Sequence, residues 1–192
     1  MNFVPQSYGA DIADLLVSDR LPELGLGAPN TSARPKIEVI AASRTLGGQK
    51  IVDNSAVKCC VSALWLWHDF LDESHTLSQD IETTDGSYWH AIMHRREPDY
   101  GNSKYWFRRV GQHPIFEPLA AAARNHSSHH ALRDEPSPCL LTQTKWDPFA
   151  FVDLCEAIAR GRSEAALLAR EVARIEWQLL FDHCFRKAVG AS

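Results

Sequence analysis

Two groups of histidine and acidic side chains lie close together in the sequence. The stretch from Leu64 to Arg109 holds four histidines, eight acidic residues and four arginines. In a helix, residues that are whole turns apart share one face. On that spacing the first group is His68, Asp72, His75 and Gln79, and the second group is His90, His94 and Glu97. Buried groups of this kind are costly unless they pair or bind a ligand, so the sequence predicts a site here.

The residue types favour a divalent metal. Histidines one helical turn apart can chelate a single ion, and His90 and His94 have that spacing. The predicted ligands are His68, His75, His90 and His94. Imidazole and carboxylate ligation without thiolate suits Zn, Fe, Ni or Mn, and an open position would activate water or polarise a carbonyl or phosphoryl oxygen. In this interpretation Asp72 or Glu97 orients a ligand or acts as the general base.

Named catalytic motifs do not fit the chain. The two histidines of His90-Ala-Ile-Met-His94 lack the glutamate of an HExxH motif, although Asp72 and His75 form one Asp-x-x-His pair. The His68-Asp69 dipeptide has no earlier histidine, which an HD-type phosphohydrolase would need. The sequence therefore leaves open whether the protein is an enzyme.

A basic segment follows the acidic one. From Cys59 to Met93 there are six acidic residues and no lysine or arginine. The basic residues that come next are Arg95, Arg96, Lys104, Arg108 and Arg109. Arginines beside aromatic rings can hold phosphate or carboxylate bidentately, so we predict that these residues bind a small anionic molecule. The alternative is that they pair with the acidic segment inside the fold.

Two functions therefore stand side by side. In the first, a His/carboxylate pocket rimmed by arginines binds a divalent metal and hydrolyses an anionic small molecule. In the second, the protein is a non-enzymatic helical domain that binds a ligand or a partner, and the same residues form a structural network. The net charge of −4 and the single short basic segment argue against nucleic acid.

The composition is that of a soluble globular protein, with 192 residues, 45% hydrophobic and 23% charged. The five cysteines form no CxxC pair, which favours buried, reduced thiols. The N-terminal residues have neither a basic nor an apolar segment, and the longest uncharged apolar stretch, at 59–67, is too short for a bilayer. We expect a cytoplasmic protein that does not enter a membrane, and a homo-oligomer stays open.

Helical periodicity and breakers predict an all-α fold. We expect a single-domain bundle of about five to seven helices, with residues 1–35 as a loop and short-helix segment and 36–192 as the helical domain. A helix from Asn54 or Ser55 either runs into the low 70s or restarts and reaches Gln79. Asp147 and Pro148 open a later helix. A long loop is expected near 125–146, where prolines and small polar residues replace any periodicity.

Two segments carry a resemblance. They are YWHAIMHRREPDYGNSKYWFRRVGQHP at 88–114 and WHDFLDESHTLSQDIE at 67–82. Over these residues, about a quarter of the chain, the protein resembles a widespread family of bacterial and fungal proteins that has no assigned function. The resemblance implies no reaction, substrate or cofactor.

Overall fold

The computed structural model describes residues 3–16, 20–127, 140 and 143–191. Within these ranges the chain forms nine α-helices and one small hairpin, which confirms the all-α class. The helices are α1 Ala10–Leu16, α2 Arg34–Ala42, α3 Asn54–Trp67, α4 Leu71–Ser78, α5 Thr84–Arg96, α6 Tyr100–Val110, α7 Phe116–Ser127, α8 Pro148–Ala159 and α9 Ala166–Val189. The count exceeds the expected five to seven because the short helices α1, α2 and α4 are separate elements.

A β-hairpin follows α2, at the Leu46-Gly47-Gly48 sequence that predicts only a break in the secondary structure. Strand β1 (Thr45–Leu46) pairs antiparallel with strand β2 (Gln49–Lys50), with Leu46 opposite Gln49. Gly47 and Gly48 between them have φ angles of 57° and 76°. A two-residue hairpin turn with two positive φ angles favours glycine at both positions, because glycine has no Cβ to clash.

The longest helix, α9, lines the core. It contacts α3, α7 and α8. The helical spacing predicts that Leu168, Val172, Ile175 and Leu179 face the core; Ile175 is partly buried and the other three are buried. Trp177 and Phe181 stack with ring centroids 4.8 Å apart and planes 9° apart. The apolar side of α9 therefore forms a central part of the hydrophobic core.

Helices α3 and α4 are separated by a bend at Asp69. Helix α3 ends at Trp67, and Asp69 has a φ angle of 61°, which stops the helix. Its buried carboxylate pairs with the guanidinium of Arg96, which holds the bend in place. The restart at Leu71 means that the prediction of one continuous face from His68 to Gln79 is wrong.

Helix α5, which carries two of the predicted ligands, has clear ends. The Thr83 hydroxyl accepts a backbone N–H of the first turn at 3.0 Å. The helix ends at Arg96, because Pro98 disfavours the helical conformation at Glu97. Asp99 then caps α6 through a backbone N–H at 3.1 Å. Helices α4, α5 and α6 pack in succession, with α5 in contact with both neighbours.

The loop predicted near 125–146 falls mostly outside the described residues, because 128–139 and 141–142 are not among them. Helix α7 continues into the start of this range and ends at Ser127. Asp147 caps α8 as predicted, accepting from the Phe149 N–H at 2.9 Å. Among the described helices, none is both long and apolar enough to span a membrane.

Candidate metal centre

Three imidazole rings meet between α4 and α5. His75 comes from α4, and His90 and His94 come from successive turns of α5. The ring centroid of His75 lies 4.8 Å from that of His90 and 5.0 Å from that of His94. One nitrogen atom of each ring lies within 4.8 Å of the other two. The fold therefore brings together three of the four predicted ligands.

His90 and His94 already face each other through the same ring atom. Their Nε2 atoms are 2.9 Å apart, a hydrogen-bond distance. Two imidazole nitrogens on one tetrahedral zinc ion lie about 3.3 Å apart, given a Zn–N bond of about 2.0–2.1 Å. A movement of a few tenths of an ångström would therefore turn the hydrogen-bonded pair into a pair of ligands.

Of the two predicted carboxylates, one lies at the cluster. Glu97 Oε2 is 3.3 Å from His94 Nδ1, and Glu97 Oε1 is 3.5 Å from His75 Nδ1. Within the described structure the buried His94 Nδ1 has no well-aligned hydrogen-bond partner, even though this carboxylate is close. Asp72 is exposed in the first turn of α4 and is not part of the histidine cluster. Asp99 Oδ2 lies farther out, 4.0 Å from His94 Nδ1.

Burial keeps the inner imidazoles neutral. His90 and His94 are buried, and the ring of Trp106 from α6 covers His90 at a centroid distance of 4.2 Å. Burial is the main cause that lowers the pKa of His90 to about 3, and the neighbouring histidines and Arg109 add to it. Burial also lowers the pKa of His94, although nearby carboxylates oppose the shift. Neutral imidazole is the form that binds a metal.

The sequence did not predict two residues that contact the cluster. Ser78 Oγ lies 3.0 Å from His90 Nδ1, and Trp106 forms a wall of the site. A signal for Ser78 exists in its offset from His75, since residues three apart share a helix face. Trp106 comes from a different helix, so its position depends on how α5 and α6 pack.

His68 is the predicted ligand that the fold keeps apart. It follows the last residue of α3, and its Nδ1 lies 3.1 Å from the Asn30 amide nitrogen. Burial lowers its pKa to about 4, and the charge of Arg20 adds to the shift. Among the described residues two groups could hold a metal ion, His75/His90/His94 and Asp85/His113/His183, and His68 is in neither. The bend at Asp69 is the cause, because it separates the direction of α3 from that of α4.

Arg95 and Arg96 are buried, and both form ion pairs inside the protein. Arg95 Nη1 donates to Glu176 Oε1 at 3.3 Å, and its guanidinium carbon lies 4.6 Å from the Phe151 ring centre. Arg96 donates to Asp69 Oδ1 at 2.5 Å and to the Leu66 carbonyl at 2.7 Å. Arg96 therefore pairs with the acidic segment, as the alternative predicts, whereas the partner of Arg95 comes from α9.

The other three basic residues lie on α6. Lys104 pairs with Asp153 of α8. Arg108 and Arg109 are exposed, and neither forms an ion pair with a described residue. The guanidinium carbon of Arg109 lies 4.6 Å from the centre of the Trp106 ring, which also packs on His90. Arg109 is thus the predicted anion-binding residue that the fold places beside the cluster.

A second histidine and carboxylate cluster lies at the other end of α5. Asp85 Oδ1 is 2.9 Å from His113 Nε2 and 3.2 Å from His183 Nε2, and its other oxygen pairs with Lys187. The His113 Nδ1 accepts the Ile115 N–H at 3.3 Å, so the proton of the neutral ring is on Nε2. Burial alone would raise the pKa of Asp85, but hydrogen bonds from its three partners hold it well below its usual range.

No family model, curated protein or solved structure matches the chain. The resemblance at 67–82 and 88–114 stays a prediction. The chemistry of the centre has to be inferred from its own side chains.

Proposed function

We propose that the protein binds one divalent transition metal at His75, His90 and His94 and uses it to hydrolyse a small anionic molecule. The observation that carries the proposal is the meeting of three imidazoles from two helices, with one nitrogen of each within 4.8 Å of the others. Three histidines and an open fourth position are a ligand set that catalytic zinc sites use.

Glu97 is the carboxylate that orients the ligands. Its carboxylate lies within 3.5 Å of Nδ1 of both His75 and His94. There it can accept hydrogen bonds from the Nδ1–H groups, which leaves the Nε2 lone pairs for the metal. Such carboxylate–histidine–metal contacts fix ring orientation and raise ligand basicity. This role replaces the predicted roles of His68 as a ligand and Asp72 as a catalytic group.

The outer side of the centre reaches solvent at His75 and Glu97. The side chain of His75 is 36% exposed and that of Glu97 is 25% exposed, whereas His90 and His94 are buried. Substrate and water would therefore reach a bound ion from the side of His75 and Glu97. The ion would supply a water whose pKa falls towards about 7 and would polarise the bond to be cleaved.

Arg109 supports the choice of an anionic substrate. Its charge already acts on His90, and no described carboxylate neutralises it through an ion pair. A bound divalent ion would offset the negative charges of Glu97 and Asp99, so the loaded centre attracts an anion while the empty one does not. Arginine also suits bidentate binding of phosphate or carboxylate.

Elemental analysis of protein purified without a histidine tag tests the metal. We expect about one equivalent of a transition metal in the wild type and its loss in His94→Ala. The matched control is His68→Ala, which removes a buried histidine outside the cluster and leaves the metal in place. Less than about a tenth of an equivalent in the wild type, unchanged by His90→Ala, would refute the metal site.

The reaction is tested separately with p-nitrophenyl phosphate as a simple anionic ester. We expect hydrolysis that a chelator removes, that added metal restores and that His94→Ala lacks. Metal uptake without hydrolysis of this or related anionic esters would favour the rival function, a non-enzymatic helical domain. The buried pairs Arg95–Glu176 and Arg96–Asp69 favour that rival, because they are closed structural contacts.

A further inference from the structure

One buried hydroxyl joins the two helices that carry the histidines. Ser78, the last residue of α4, is fully buried. Its Oγ donates to the backbone carbonyl of His75 at 3.4 Å and lies 3.0 Å from Nδ1 of His90. The same oxygen atom thus contacts the backbone of one candidate ligand and the ring of another.

The direction of the hydroxyl proton decides which nitrogen of His90 faces the cluster as a lone pair. When the Ser78 proton points to the His75 carbonyl, the oxygen lone pairs are free to accept a hydrogen bond from His90 Nδ1–H. His90 then presents the lone pair of Nε2, the atom that lies 2.9 Å from His94. Metal-bound histidines commonly donate their other ring N–H to an oxygen in this manner.

We propose that Ser78 is a positioning residue of the metal centre, which holds the ring of His90 in the orientation and tautomer that a metal ion requires. The inference rests on the proposed function. It adds a residue for which the sequence offered no metal-binding signature. It also gives His90 a hydrogen-bond acceptor, the role that the proposed function gives to Glu97 for His75 and His94.

The chain offers a closely matched control one turn earlier in the same helix. Ser74 is also fully buried, and its hydroxyl lies 2.8 Å from the hydroxyl of Ser62 in α3, with no histidine contact. Ser→Ala at either position removes one oxygen atom and favours the helix slightly. The two substitutions therefore differ in whether the lost hydroxyl touches a candidate ligand.

The experiment uses Co²⁺ as the probe, because its visible absorption reports ligand geometry. Full-length wild type, Ser78→Ala and Ser74→Ala are titrated with Co²⁺, and the metal-free proteins are compared by circular dichroism. We expect Ser78→Ala to bind Co²⁺ roughly 10–100-fold more weakly with an altered spectrum, the size typical of lost outer hydrogen bonds. Ser74→Ala should stay within about twofold of the wild type.

A third variant, Ser78→Thr, keeps the hydroxyl and should recover most of the affinity lost in Ser78→Ala. Equal Co²⁺ affinity and spectra for Ser78→Ala and Ser74→Ala would overturn the role of Ser78 while the metal centre stands. Wild-type protein that takes up no Co²⁺ would instead overturn the proposed function itself. The two failures are therefore distinct.

Discussion

The two ends of α5 carry histidines beside carboxylates, yet the two clusters are built in opposite ways. At the first end, Asp85 is surrounded by three proton donors, and the Ile115 N–H fixes the tautomer of His113 so that it donates inwards. At the second end, three imidazoles face one another and Glu97 stands at the outer side. We call the first cluster the Asp85 clasp and the second the histidine centre.

The two clusters differ in the direction of the ring protons. In the Asp85 clasp the ring proton of His113 points at the carboxylate, and both carboxylate oxygens pair with side chains of the protein. In the histidine centre the carboxylate lies outside the rings, so the lone pairs can converge on a shared point. Both groups have the spacing to hold a metal ion. We expect the metal in the histidine centre, because in the Asp85 clasp the ring proton of His113 occupies the carboxylate.

The largest expected effect comes from breaking the Asp85 clasp. Asp85→Ala leaves the buried His113 N–H without its acceptor and removes the partner of Lys187. Such losses typically cost about 3–5 kcal/mol, or roughly 6–20 °C in melting temperature for a chain of this size. Thermal and urea unfolding measure the change. Co²⁺ affinity should stay within about twofold, and its loss would show that the clasp binds the metal.

Zinc should show which of the two clusters binds metal, because binding at one of them will stabilise the folded protein. At about 100 times its Kd, a ligand specific for the folded state adds about 2.7 kcal/mol. We expect this gain in zinc-dependent melting of the wild type and of His183→Gln, but its absence in His94→Gln. The reverse pattern, with the gain lost in His183→Gln, would move the metal site to the Asp85 clasp.

Lowering the pH should weaken the clasp gradually. The folded pKa of Asp85 lies below its unfolded value of about 3.9, so its contribution is complete above that pH and is lost as the pH falls further. The difference in unfolding free energy between wild type and Asp85→Ala should therefore be smaller at pH 3 than at pH 5. Urea titrations at these pH values check it, and a difference that grows in acid would contradict the assignment.

The smallest effect concerns the surface beside the histidine centre. Arg109→Gln should weaken inorganic phosphate binding to the Co²⁺-loaded protein about tenfold, because a charge-assisted contact is lost. Arg108→Gln, the neighbouring exposed arginine, should change it by less than about twofold. Spectral titration with phosphate measures both. Equal affinities in the two variants would remove Arg109 from the site.

Local spacing made part of the histidine centre predictable. His90 and His94 are one turn apart, and Glu97 follows three residues later, so one helix fixes all three positions. The sequence also predicts His75 as a ligand, but from a continuous helix face with His68 that the bend at Asp69 interrupts. A left-handed residue inside a helical pattern leaves no periodic signal, and His68 was misplaced for that reason.

The sequence did not predict that the residues of the Asp85 clasp lie together. Its members come from α5, from the segment after α6 and from α9, and no spacing rule connects them. The same holds for Arg95, whose partner Glu176 lies 81 residues away. Helices and their caps follow from neighbours along the chain, whereas long-range pairs follow from packing that a single sequence does not reveal.

The distance along the chain between partners sets the order in which the two clusters can form. The three candidate ligands and Glu97 lie within residues 75–97, whereas Asp85 and Lys187 are 102 residues apart. Short loops close with a smaller entropy cost and on faster timescales than long ones. We therefore expect the packing of α4 on α5 to bring the candidate ligands together before α9 completes the Asp85 clasp.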